Sequence, residues 1–345
     1  MTNEDPPELD DSAPLDEHGE TQHWQLIGEL QWAVSLGRVG TMCVTQTMAR
    51  FRPAPRRGHL DRLKRVHQCL RQCKKTSIKF NVEEPDHSNC PEVEKNWGSM
   101  HHPVREDVPT DAPTPKGKPV VSTTFVDANL MAELLTGRSQ TGILHLLNKT
   151  PVDWFSKLQP NVETATHGSE FVAARIGVDH IVEIRNTLRF LGVPIKGPAH
   201  MFGDNLAVVN SLTMPAGKLQ KRHNLLNYHR VREAQAAGIC SFFHMDGRHN
   251  PADILTKPMT SREWFKLMKP LLFWRAQDDS DGSDKVTGQE AGQIPGIPTV
   301  AAPANAQQPT QASCIAMLTQ DEVDELNPFI PTIKKIIARK PSAYH

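Results

Sequence analysis

Between Pro119 and Lys257 the spacing of apolar residues switches from every second position to every third or fourth and back again. That alternation constrains the fold more than any other feature of the chain. Residues 119–128 (PVVSTTFVDA) are β-branched and apolar, and residues 139–147 and 151–157 read as two further strands around the turn residues Asn148, Lys149 and Thr150. A long helix is expected from about 166 to 191, with Phe171, Ala174, Val178, Ile181, Ile184 and Leu188 on one face, stopped by Gly192 and Pro194. A short strand at 198–203, a short helix opening at Asn205 and a basic helix over 218–237 ended by Gly238 follow. A fifth strand is expected at 239–245 and another helix from 250–257. This order is α/β, with a mixed five-stranded sheet.

The flanks read differently. Residues 22–36 place Trp24, Ile27, Leu30 and either Ala33 or Val34 on one stripe, and further helices are expected at 41–50 and 58–72, before a short strand at 76–81. Residues 83–118 are polar and proline-rich. The expected organisation is a disordered acidic tail at 1–20, a helical segment at 21–82 and a linker at 83–118. An α/β domain at 119–270 and a disordered tail at 276–345, with a marginal helix near 330–339, complete it. The 27 prolines and the 6% of aromatic residues agree with a core smaller than 345 residues would allow.

Net charge misleads here. The 39 Lys and Arg balance 39 Asp and Glu, but residues 1–20 hold eight acids and no base, whereas residues 49–75 hold ten bases and one acid. A second basic run, Lys218 to Arg232, has five bases and no acid. Such clusters are either solvated helix faces or the electrostatic footprint of a phosphate-backbone binder. No run of about 18 apolar residues exists to cross a membrane. The first twenty residues have neither the basic nor the apolar region of a secretory signal, and the six cysteines are scattered. A reduced, intracellular setting is therefore expected, in a cytoplasmic particle or the nucleus.

Four acids sit where α/β sheets place chemistry. Asp127 and Asp204 close strands, while Glu170 and Asp253 fall in first helical turns. Carboxylates that converge repel one another unless a cation neutralises them, and a hard ion such as Mg²⁺ or Mn²⁺ takes oxygen ligands. Taken singly, each acid is equally readable as a turn residue or a helix-dipole partner.

The local sequences resemble the ribonuclease H domain of Ty1/copia-type retrotransposon Pol polyproteins. The matching blocks, in order, are Phe125-Val126-Asp127-Ala128-Asn129, Gly137 to Gly142, Val152 to Pro160, Gly168-Ser169-Glu170-Phe171 to Ala174 and Phe202-Gly203-Asp204-Asn205. Lys221-Arg222-His223, Tyr228 to Glu233 and Ala252-Asp253-Ile254-Leu255-Thr256-Lys257-Pro258 follow, the last being the most specific. Residues 22–75 are similar to the segment that closes the reverse transcriptase in the same polyproteins. The resemblance implies a ribonuclease H-like sheet with helices on both faces, and cleavage of the RNA strand of RNA–DNA hybrids. It implies that Asp127, Glu170, Asp204 and Asp253 hold two Mg²⁺ or Mn²⁺ ions. On that reading Asp127 bridges both, Glu170 and Asp204 hold the ion on the leaving-group side, and Asp253 holds the ion that activates water.

Polymerase activity is not expected, because no Tyr-x-Asp-Asp motif is present and there is no room for fingers and palm. The chain reads as a fragment, a decayed copy or a truncated gene model, with the remainder of a reverse transcriptase as its expected partner. Lys221, Arg222, His223 and Arg230 are expected to grip hybrid phosphates without reading sequence, and Asn205 either contacts the hybrid or caps a helix. Cellular ribonucleases H use a histidine near the place of His244 for product release, but here a surface or packing role is expected. His67, Cys69, Cys73 and Cys90 do not match paired zinc knuckles. Two alternatives stay open at this point: a non-catalytic nucleic-acid-binding remnant, and, disfavoured by the fourth acid, a transposase or integrase.

Overall fold

The computed structural model describes residues 6–73, 76–90, 95–98, 104–217, 219 and 222–274. The expected tail at 276–345, its helix near 330–339 and Lys221 lie outside the described residues.

Three helices open the chain: α1 (Glu17–Ser35), α2 (Met42–Ala49) and α3 (Arg57–Gln72). The apolar stripe read from the sequence closes them on one another, with Ile27, Leu30, Met48, Leu63 and Val66 buried together. Each such side chain contributes about 1.5–3 kcal/mol when removed from water. Asp16 caps α1 by accepting from the Gly19 amide at 2.8 Å, and Glu17 and Glu20 fall in the first turn, where negative charge is favourable.

The expectation of a disordered tail at 1–20 is corrected for its described part. Residues Pro7–Leu9 form a 3-10 turn, Glu8 pairs with Arg50 at 3.3 Å, and Arg56 donates to the Ser12 carbonyl at 2.6 Å. Glu8, one of the acids that composition reads as self-repelling, thus has a partner in the basic run.

The strand β1 (Thr76–Ile78) is followed by the α/β region: β2 (Ser122–Asn129), β3 (Gln140–Leu147), β4 (Thr150–Leu158), α4 (Thr166–Phe190) and β5 (Ala199–Gly203). Then come α5 (Leu206–Thr213), α6 (Leu225–Ala236), β6 (Cys240–His244), α7 (Ser261–Met268) and β7 (Leu272–Trp274). The five-stranded sheet has the order β4-β3-β2-β5-β6, with β2–β3 and β3–β4 antiparallel and β2–β5 and β5–β6 parallel. This is the mixed five-stranded sheet expected from the sequence.

One sheet face, with Val126, Ile143 and Met201, packs under Phe171, Ala174, Val178 and Ile181 of α4 and Tyr228 and Val231 of α6. Gly177 allows the close approach: a Cβ there would lie 2.8 Å from Val126 Cγ1. The other face buries Leu144 and Leu146 against Ile254, Leu255, Met268, Leu271 and Leu272.

Three further expectations change. The basic helix over 218–237 is a 3-10 turn at Arg222–Asn224 followed by α6. The helix from 250–257 is a 3-10 turn, Pro251–Leu255, and a separate helix, α7, follows it. The sequence reading missed α7, although Thr260 and Glu263 form its capping box, and it missed β7, whose three residues pair antiparallel with β1. Residues 83–118, read as a linker, are in their described parts laid against the α/β region. Glu83 pairs with Lys149 at 2.8 Å, Glu84 with Lys196 at 2.6 Å and Glu106 with Arg185 at 2.7 Å. Among the described residues no helix is long and apolar enough to cross a membrane.

Candidate active site

Asp127 is the third residue from the end of β2, Asp204 follows β5 directly, and these two strands are parallel neighbours. Glu170 lies in α4. The helix begins at Thr166, so Glu170 falls just past its first turn, and it is buried; the dipole-partner reading of Glu170 therefore does not hold. Carboxylate oxygens of Asp127, Glu170 and Asp204 lie within 4.8 Å of one another.

Asp253 comes from the 3-10 turn after β6, and several hydrogen bonds hold that turn to the sheet. Asn250 donates to the Val126 carbonyl at 3.0 Å, Ser156 donates to the Leu255 carbonyl at 2.5 Å, and Thr256 donates its hydroxyl to Asp127 Oδ2. Gly142, the ladder partner of Asp127, makes the room: a Cβ there would sit 2.6 Å from Thr256 Cγ2 and 2.8 Å from the Ala252 carbonyl oxygen.

The cluster is electrostatically loaded. Burial, then the charge of Asp253, pushes Asp127 up to about 6. Burial, with Asp127, Asp204 and Asp253 adding to it, raises Glu170 well above the usual carboxylate range. Asp204 and Asp253 are raised as well, first by burial. Lys257 offsets part of this: its Nζ is 2.9 Å from Asp253 Oδ2, and its own pKa is raised despite burial by the surrounding acids. Sequence reasoning did not assign roles to Thr256 and Lys257, although both belong to the block that carries Asp253.

A divalent cation fits these residues. Asp253 Oδ1 is buried and accepts no hydrogen bond, and the raised carboxylates are held together without enough cations to balance them. The donor set is all oxygen, which suits Mg²⁺ or Mn²⁺.

The other expected site residues lie elsewhere or have partners. Asn205 caps α5, accepting from the Val208 amide at 3.2 Å. His223 Nε2 is 3.1 Å from Glu163 Oε2, and Arg230 donates to Asp179 at 3.1 Å. Arg222 belongs to the 3-10 turn before α6. His244 is exposed, at the surface as one of the two expected roles has it, and its Nε2 is 3.0 Å from the Asp204 carbonyl oxygen. Among the described residues, His67, Cys69 and Cys73 do not form a metal-holding group.

Comparison with known proteins agrees with the motif resemblance. The chain is 26% identical over 148 residues to the retrovirus-related Pol polyprotein from transposon TNT 1-94 of Nicotiana tabacum, a match covering 43% of this chain and 11% of that protein. It is 24% identical over 145 residues to the corresponding polyprotein from transposon RE2 of Arabidopsis thaliana, covering 42% and 10%. With that from transposon RE1 of the same plant it shares 20% over 240 residues, covering 70% and 14%. The chain's relatives are thus Pol polyproteins of copia-type transposons, and it spans only about a tenth of their length. No protein-family model matches the chain.

Among solved structures, the N-terminal ribonuclease H domain of a Mycobacterium tuberculosis protein is 16% identical, covering 40% of this chain and 91% of that chain with a TM-score of 0.30. LC11-RNase H1 in complex with an RNA/DNA hybrid is 13% identical, covering 39% and 93% with a TM-score of 0.32. The foamy viral protease-reverse transcriptase in complex with an RNA/DNA hybrid is 14% identical, covering 61% and 27% with a TM-score of 0.32.

Proposed function

We propose that this chain hydrolyses the RNA strand of RNA–DNA hybrids, as the ribonuclease H portion of a retrotransposon Pol polyprotein. The observation that carries the reading is the meeting of Asp127, Glu170 and Asp204, with Asp253 against them, at the parallel strand pair β2–β5. These four carboxylates would hold two divalent ions, Mg²⁺ or Mn²⁺. When bound, such an ion pair supplies an activated water and neutralises charge on the leaving oxygen of a phosphodiester.

The chain's own residues do the positioning. Thr256 fixes the Asp127 carboxylate by donating to Oδ2. Lys257 holds Asp253 by one oxygen and leaves Oδ1 unbonded. His244 is exposed beside Asp204. Lys221, Arg222, His223 and Arg230 would grip the phosphate backbone with salt-dependent affinity; Arg230 would do so while paired with Asp179. The remainder of a reverse transcriptase would be the physical partner.

The test is incubation of the purified chain with an RNA–DNA hybrid and Mg²⁺, beside the Asp127→Asn variant. Mg²⁺-dependent cleavage of RNA only within the hybrid, lost in the variant, is expected. No cleavage by the parent overturns the reading and leaves a non-catalytic remnant; undiminished cleavage by the variant overturns the assignment of cleavage to this carboxylate site.

A further inference from the structure

A second cluster of ligand-type side chains stands apart from the carboxylates. His145 on β3, Asp153 on β4 and His180 on α4 each present a ring nitrogen or a carboxylate oxygen, and these atoms all lie within 4.8 Å of one another. The strand register puts His145 between Thr124 on β2 and Asp153 on β4. His145 Nδ1 is 2.8 Å from Thr124 Oγ1, which leaves Nε2 as the second ring nitrogen.

That Nε2 is buried and has no hydrogen-bond partner among the described residues, in a residue only 1% exposed. A buried polar atom without a partner is costly and calls for a reason. On the other side of the cluster His180 Nδ1 is 3.5 Å from Asp153 Oδ2, and the edge of Phe155 packs on the His180 ring at 4.9 Å. The His145 and His180 rings lie nearly parallel, 5.6 Å apart between centroids.

We propose that His145, Asp153 and His180 form a binding site for a divalent transition ion of the zinc class, with a fourth position open to water. Two imidazoles and one carboxylate are the N and O donors that zinc accepts, with bonds of about 2.0–2.2 Å. A tetrahedral ion needs ligand atoms roughly 3.3 Å apart, so the trio has to close by at most about 1.5 Å. His180 and Asp153, whose side chains are 22% and 43% exposed, are less buried than His145 and would make that movement. In the tautomer whose Nδ1–H donates to Thr124, the contact fixes the His145 ring and leaves a lone pair on Nε2, the outer-shell support that metal-binding histidines use.

This ion differs in class from those of the carboxylate cluster, since Mg²⁺ prefers oxygen alone. It also differs in place: His180 is ten residues beyond Glu170 on α4, about 15 Å along the helix axis. Bound there, the ion would clip α4 to the β3–β4 edge of the sheet.

The test uses the full chain, stripped with a chelator and titrated with Zn²⁺ in a calorimeter under excess Mg²⁺, and separately with Co²⁺ followed by absorption. The parent is expected to bind one equivalent of Zn²⁺ that His180→Ala and Asp153→Asn each weaken at least tenfold. Both variants change partly exposed side chains, and their thermal melting without metal shows whether they remain folded. Bound Co²⁺ should give tetrahedral visible bands without a thiolate charge-transfer band. No stoichiometric Zn²⁺, equal affinity in the parent and both folded variants, or a thiolate band that persists in His180→Ala would each sink the proposal; the last assigns the ion to cysteines.

Discussion

Gly142 faces Asp127 across the β2–β3 ladder, and Thr256, which donates its hydroxyl to Asp127, fills the space that the missing side chain leaves. A Cβ at position 142 would also lie 2.9 Å from Leu255 Cβ and 2.8 Å from the Ala252 carbonyl oxygen, so backbone has to move. Gly142→Ala is therefore expected to push the turn that carries Asp253 off the sheet, at about 1–3 kcal/mol in stability. Hybrid cleavage should fall at least tenfold while far-ultraviolet circular dichroism is unchanged. Unaltered cleavage by a destabilised variant would show that Asp253 does not depend on this contact.

Thr256→Val separates the hydroxyl from the volume. The side chain keeps its shape, but Asp127 Oδ2 loses its donor. The expected result is a lower kcat for cleavage and a higher Mg²⁺ requirement, with stability falling by about 1 kcal/mol or more for the lost hydrogen bond. A Mg²⁺ titration of the cleavage rate compares the variant with its parent.

Asp127→Asn removes one charge from a cluster whose members repel one another. Without divalent ions the variant is expected to melt at a higher temperature than the parent. Adding Mg²⁺ should reverse the order, since only the parent gains, by about 2.7 kcal/mol at a concentration near 100 times Kd. Thermal melts with and without Mg²⁺ read this directly, and a parent insensitive to Mg²⁺ would contradict it.

Much of this site was legible because the acids that meet in space lie in short blocks at element ends. Asp204 follows β5 as expected, and the blocks around Glu170 and Asp253 sit on the elements that reach it. What escaped was whatever depends on contact between distant segments. The folding of residues 6–20 rests on pairs such as Glu8 with Arg50, which a local count of acids cannot see. Strand β7 has three residues and acquires its identity only from β1, nearly two hundred positions earlier. Arg230 and His223 read as free cations on a basic helix, yet each has an acidic partner on another segment, Asp179 and Glu163. His145 shows no signal in sequence, because its significance lies in facing Asp153 and His180.

The segment around Glu106 offers a test of how firmly residues 104–112 are bound. Arg185 is buried and meets Glu106 through two bonds of 2.7 Å, while Arg189 reaches the same carboxylate at 2.5 Å. Removing the acid leaves a buried guanidinium whose remaining hydrogen bond is to the Gly197 carbonyl. Glu106→Gln is expected to cost about 3 kcal/mol, and to open the 104–112 stretch to protease. Urea denaturation and limited proteolysis measure the two effects, and a loss below about 0.5 kcal/mol would mark the contact as a surface pair.

His23 sets a pH dependence in the helical segment. It is fully buried on α1, and neither ring nitrogen finds a hydrogen-bond partner. Burial, with His59 and Arg52 nearby, pushes its pKa down from 6.5 to about 4. Because the folded value is the lower one, the unfolded chain binds the proton more readily. The contribution of His23 is therefore fully present above about pH 6.5 and is lost as pH falls toward 4, amounting to at most about 3 kcal/mol. His23→Leu keeps an apolar body in the site and should flatten that dependence. Urea unfolding of the two proteins at about pH 7.5 and about pH 5 tests it. The parent should lose more stability than the variant on acidification, and equal losses would place the histidine proton outside the folding equilibrium.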